Sequence, residues 1–176
     1  MGYIVRKISR AKWEPKEELG VDAIAADAVT ADLRTTGNCL SFWECSDPNN
    51  REELKEIALA LATPANRESD RVDKIDLAWI EKKAVEAKGI TLERTQGDTR
   101  IPHLRLKHID AIHLDLNKIG ILAKLLAHSV RNDNQYFRFT QAKVRKILSE
   151  ALENGHISLD DLPEKIRQLF AKSPVD

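Results

Sequence analysis

No motif in this chain names a reaction. It holds no glycine-rich phosphate loop followed by Lys, no dinucleotide fingerprint, no nucleophile elbow around a serine and no His-Glu-x-x-His helix. Its seven glycines are spread singly, which argues against a nucleotide cradle built from backbone amides. An excess of one charge is also missing: the formal net charge is zero, so no global field draws the chain to nucleic acid or to an acidic membrane. The start, Met1 to Lys7, has too short an apolar run for a signal peptide, and no later run approaches the roughly 18 uncharged residues of a membrane span. Gly2 is not followed by the Ser or Thr of a myristoylation site, because Arg6 stands there. These absences predict a cytoplasmic protein with no membrane partner and no cofactor.

Cysteine is scarce. Cys39 and Cys45 lie six apart on one proposed strand, Cys39-Leu40-Ser41-Phe42-Trp43-Glu44-Cys45-Ser46. If it is straight, their Cα atoms are about 20 Å apart at roughly 3.3 Å per residue, too far for a disulfide. Free thiols in a reducing compartment follow, and no second cysteine pair exists to complete a metal or redox set.

That strand is the densest apolar stretch and organises the fold expectation. Gly37 and Asn38 precede it with a tolerance for positive φ, and Ser46-Asp47-Pro48-Asn49 follows as a turn or helix start. Cys39, Ser41, Trp43 and Cys45 point to one face and Leu40, Phe42 and Glu44 to the other, so helices are expected on both sides. Around it the chain alternates. Tyr3 to Ile8, Lys74 to Ile80 and Ile90 to Thr95 read as strands; Val21 to Leu33, a helix started at Asn50 with Glu53 as a capping-box partner, and Glu81 to Lys88 read as helices. Ala65 to Asp73 reads as a loop. Past Ile101 the pattern turns helical: Leu116 to Val130 capped by Asp115, a helix capped by Thr140, and a last one over Leu159 to Phe170 opened by Ser158 and Asp161, with Leu104 to His113 ambiguous and Arg131 to Gln135 a polar loop. The expected class is α+β: a small mixed sheet with packed helices over residues 1–100, then a helical region over residues 101–176 packed as part of the same domain.

Charge is segregated along the chain. Residues 1–13 carry four basic and no acidic side chains, residues 14–73 carry 6 basic and 14 acidic, and residues 101–148 carry 9 basic and 3 acidic. Such lengths either fold against each other or present patches of opposite sign to partners.

Three sets of residues invite a functional reading. His103, His108 and His113, with Asp110 and Asp115 between them, have the donor types of a metal or acid-base site. Their five-residue spacing argues against it, since it turns neighbours about 140° apart on a helix and to opposite faces of a strand. Arg138, Lys143 and Lys146, near Tyr136, Phe137 and Phe139, suit phosphate contact with aromatic stacking. Helix, Gly155 turn and capped helix there have a helix-turn-helix outline, but Asp160, Asp161 and Glu164 would repel phosphate from the second helix. Asp22, Asp27 and Asp32 form an acidic helix face suited to a basic protein partner.

By elimination, the sequence favours a non-enzymatic interaction module, an inhibitor, antitoxin-like protein or accessory subunit working through its acidic half. The alternative is an enzyme or accessory factor acting on nucleic acid or nucleotides. A cleft bringing His108 or His113 to Arg34 or another basic residue would promote the enzyme.

Overall fold

The computed structural model describes residues 2–66, 71–132 and 134–171. Residues 67–70 of the loop expected over Ala65 to Asp73, and residue 133 of that expected over Arg131 to Gln135, lie outside the described residues. The elements in order are β1 (Tyr3–Ile8), α1 (Ala26–Asp32), β2 (Leu40–Cys45), α2 (Arg51–Ala62), β3 (Ile75–Glu81), α3 (Lys82–Glu86), β4 (Thr91–Arg94), α4 (Pro102–Arg105), β5 (His108–Ile112), α5 (Leu116–Arg131), β6 (Tyr136–Phe139), α6 (Gln141–Glu153) and α7 (Glu164–Ala171). The α+β class is as expected, and among the described residues the sheet has six strands in the order β4-β5-β2-β1-β3-β6. Every pairing is antiparallel, where a mixed sheet was anticipated.

The two-residue period of the strands sorts side chains into two cores. Val5, Trp43, Cys45, Leu77 and Trp79 face one side, where Leu54 and Ile57 of α2, Leu104 of α4, Leu148 of α6 and Ile166 of α7 cover them. Ile4, Ile8, Leu40, Phe42 and Ile80 face the other, under Ala28 of α1, Val85 of α3 and Leu122 and Leu126 of α5. The helices thus form two layers with the sheet between. Asn50 caps α2 by accepting from Glu52 N at 3.1 Å, while Glu53 reaches back to Ser46 N rather than closing a capping box. Asp115 and Thr140 cap α5 and α6 as expected, accepting from the backbone N–H of Lys118 and Lys143.

Four local readings change. The helix expected from Val21 begins only at Ala26, because Gly20 turns the chain at φ 91° and leaves Val21 74% exposed with no apolar surface to cover. The ambiguous stretch resolves into one turn of helix, α4, and the strand β5. The residues 136–139 ahead of the Thr140 cap add a strand, since Phe137 and Phe139 share one face while Tyr136 turns to the other. Residues 101–176 therefore supply two strands as well as helices. The last helix starts at Glu164, not Leu159: Ser158 and Asp161 close a 3₁₀ turn, and Pro163 starts α7 afresh.

β1 and β2 stay paired only from Tyr3↔Cys45 to Val5↔Trp43. Beyond that point β1 follows β3 through Ile8↔Asp76, and β2 follows β5 through Leu40↔Ala111. The two central strands part, and residues from their parted ends line a cleft. Thr36-Gly37-Asn38-Cys39 turns the chain into β2 with φ of 60° and 59° at Gly37 and Asn38 and reciprocal backbone bonds of 3.1 Å, a two-residue primed turn.

Candidate functional site

The cleft has a volume of about 800 Å³. It is lined by Arg6 and Lys7 of β1 with Ser9 just past it, by Asp32 and Arg34 at the end of α1, and by Cys39. Ser41, Trp43, His108 and Asp110 of β2 and β5 also line it, as do Leu61 and Ala62 of α2 and Asp98.

Arg6 takes the place of the missing strand pairing. Its parity on β1 puts it with Ile4 and Ile8, and its guanidinium lies over the Phe42 ring at 5.6 Å to the centroid. Nε donates to the Asp32 carbonyl and Nη1 to the carbonyl of Ser41. Burial pushes Arg6 down to about 10, against the attraction of Asp32 and Asp110, so it stays charged at neutral pH. Nη2 has no acceptor among the described residues.

Asp32 is 8% exposed, not on an open acidic face. Its carboxylate accepts from Ser9 N at 2.7 Å, from Ser9 Oγ and from the buried Trp13 Nε1 at 2.8 Å, which ties the end of α1 to the chain leaving β1. Asp98 accepts from Ala65 N and Asn66 N, and Asp73 pairs with Arg71 at 2.8 Å. These three carboxylates are occupied in building the walls. Arg6, Lys7 and Arg34 form no ion pair with a described carboxylate.

His108 and Asp110, two apart on β5, share a face. Thr95 Oγ1 lies 2.7 Å from His108 Nδ1 and 2.8 Å from Asp110 Oδ2. A hydroxyl has one proton and an ionised carboxylate only accepts, so Thr95 donates to Asp110 and accepts from His108 Nδ1–H. The neutral imidazole then carries its lone pair on Nε2, 4.0 Å from Asp110 Oδ1. That oxygen is buried without a hydrogen-bond partner, so it adds attraction for a proton arriving on Nε2. Burial holds His108 below the usual 6.5, with Arg6 working the same way and Asp110 and Asp98 against it. The ring is wedged edge-on against Trp43, centroids 5.2 Å apart. Gly97 closes the wedge, since a Cβ there would meet Trp43 Cη2 at 2.7 Å and His108 Cβ at 3.0 Å.

The remaining expected residues are placed as follows. His113 is exposed at φ 54° past β5, its carbonyl accepting from Lys118 Nζ, and His103 is on α4 beside His156. The three histidines do not converge, and among the described residues no group of three or more His, Cys, Asp or Glu is placed to hold a metal ion. Asp22 and Asp27 are exposed. Arg138 grips the buried Asp76 with two bonds, 2.5 and 3.0 Å, Lys143 Nζ lies 5.4 Å from the Phe137 centroid, and Lys146 lies 3.7 Å from Glu150. Cys39 and Cys45 are free thiols, and burial, with Glu53, pushes Cys45 up to about 12. Arg34 and His108 share the cleft. Sequence reasoning named Asp110 only within the five-spaced histidine cluster and brought neither Thr95 nor Arg6 to His108; the His108-x-Asp110 spacing and the parity of Arg6 with Ile4 and Ile8 were the available signals. No described helix is long and apolar enough to cross a membrane. The chain matches no family model, no curated protein and no solved structure.

Proposed function

We propose that this chain is an enzyme that uses His108 as a general base on a small phosphate-bearing substrate of the nucleotide class. One observation carries the reading: Arg6, Lys7 and Arg34 form no ion pair with a described carboxylate, Asp32, Asp73 and Asp98 are bonded within the cleft's own walls, and the imidazole lone pair of His108 belongs to the same cleft. Arg6, Lys7 and Arg34 supply the donors a phosphate needs, with Arg6 held in a setting where an anion offsets its desolvation. Thr95 and Asp110 orient the imidazole and stabilise the imidazolium.

Calorimetric titration of pyrophosphate and of nucleoside 5′-monophosphates tests the binding half. Arg34→Ala and Lys7→Ala, both at exposed positions, should each weaken binding about tenfold or more, the size of a charge-assisted hydrogen bond. His108→Gln should leave pyrophosphate binding in place and reduce turnover of a cleaved nucleotide on the order of 10²- to 10⁴-fold. Turnover should fall on acidification only below about 6.5, because His108 must be neutral to act. Millimolar pyrophosphate without a heat signal, or affinity indifferent to Arg34 and Lys7, rules the reading out.

A docking module remains a second reading, favoured by Leu19 and Val21, 50% and 74% exposed among Glu17, Glu18 and Asp22. Reversing those three acids to Lys should leave turnover unchanged and abolish capture of a basic protein partner if this surface docks one.

A further inference from the structure

We infer that Ser41 is the nucleophile of this cleft and that the reaction passes through a covalent phosphoryl-Ser41 intermediate, an inference that rests on the reading of the cleft given above. Ser41 is directly opposite Asp110 in the β2–β5 ladder, and Trp43 is opposite His108. Ser41, Trp43, His108 and Asp110 therefore share one face. Cβ atoms directly opposite are about 5 Å apart and diagonal ones roughly 7–8 Å or less, a separation that a seryl hydroxyl and an imidazole can span. Thr95 holds Nδ1, and Nε2 lies on the side of Asp110, whose cross-strand neighbour is Ser41.

Two further features single out this serine. Its side chain is exposed and its hydroxyl has no hydrogen-bond partner among the described residues, whereas Ser9 is tied to Asp32. Its own carbonyl is held by Arg6 Nη1. The backbone of the nucleophile is thus fixed by a cation that lines the same cleft.

The steps balance without a further reactant except water. Ser41 Oγ attacks phosphorus as its proton passes to His108 Nε2; the Oγ–P bond forms, the P–O bond to the leaving group breaks, and Nε2 returns the proton to the departing oxygen. Water then attacks the phosphoryl-serine, losing its proton to Nε2, and the Oγ–P bond breaks with Ser41 reprotonated.

A fluorophosphonate probe tests this without a known substrate, since its P–F bond breaks as Oγ–P forms and fluoride leaves. Intact mass and peptide mapping of the whole chain should show one adduct, on Ser41, absent from Ser41→Ala. Labelling should slow about 100-fold or more in His108→Gln and also in Asp110→Asn, which keeps the shape if His108→Gln misfolds. Ser41→Ala should still bind pyrophosphate. An adduct on another residue, no adduct, or equal rates in wild type and Asp110→Asn overturns the inference. If pyrophosphate binding then persists with its dependence on Arg34 and Lys7, the cleft reading stands and Ser41 alone is removed; loss of that binding in the wild type removes both.

Discussion

The β1–β2 pair carries a charged cluster at each end, and the two are built in opposite ways. At the closed end, where Ile4 pairs with Glu44, the Glu44 carboxylate accepts from Lys82 Nζ at 2.6 Å and from Arg94 Nε at 2.8 Å. Burial works to raise Glu44, but the two cations outweigh it and hold the carboxyl below its usual range. At the parted end, Arg6 bonds only carbonyls, Asp110 keeps one buried oxygen unpartnered, and His108 keeps a lone pair. Both ends hold comparable residue types. Pairing of the strands lets the first cluster neutralise itself, whereas parting them holds the second one's charges at a distance. Self-satisfied charge stabilises a fold; charge held unpaired by the backbone is free to act on a ligand.

The contrast is broken most severely at Asp32. Asp32→Ala leaves Ser9 N and the fully buried Trp13 Nε1 without an acceptor. Stranding the buried indole N–H costs about 1–3 kcal/mol and the Ser9 amide, at an exposed position, adds less, so stability should fall by about 2 kcal/mol or more, read as a lower urea midpoint at unchanged slope. Pyrophosphate affinity should fall with it, because Asp32 anchors the wall that Arg6 and Arg34 share. A loss under about 1 kcal/mol would mean that the parted end is not held open by this carboxylate.

Gly97→Ala comes next. The new Cβ needs space that Trp43 and His108 occupy, and both are buried, so an overpacking cost of about 1–3 kcal/mol is expected. His108 should shift against Thr95, and turnover should fall even under conditions where the variant is fully folded. Unchanged turnover in folded Gly97→Ala would show that the wedge does not position the imidazole.

These residues also mark how far the sequence was legible. Strong periodicity placed β1, β2, β3, α2, α5 and α6 close to their true bounds, and turn chemistry located Gly37 and Asn38, because those features depend on near neighbours. The site depends on distant ones. Thr95 reaches His108 from the end of another strand, and Arg6 meets Ser41 only because β1 and β2 take different partners after Val5 and Trp43. Register of that kind is written in no local window. Asp32 misled for a related reason: it continues a row of spaced acids, yet its surroundings are set by Trp13, nineteen residues away. The histidines were judged at spacings of five, while the pair that matters, His108 and Asp110, lies two apart on a strand whose neighbourhood looked equally helical.

The smallest effect sharpens the comparison most, because the two ends should answer acid in separate windows. His108 has a depressed pKa in the folded chain, so the unfolded chain binds its proton first; stability should decline as pH falls below about 6.5 and level off below the folded value. Glu44 is a depressed carboxyl, so the stability it contributes is fully present above its usual 4.5 and is lost as pH falls through the lower folded value. At neutral pH Glu44→Gln should cost less than about 1 kcal/mol, since Arg94 is 75% exposed and its pairing is screened. Stability measured by urea unfolding from pH 8 to pH 3 should therefore show two declines in the wild type. His108→Gln should erase the upper one and leave the lower, and Glu44→Gln should do the reverse. A single decline removed by either substitution would mean that the two clusters titrate as one system, and the distinction between a satisfied end and a poised end would fail.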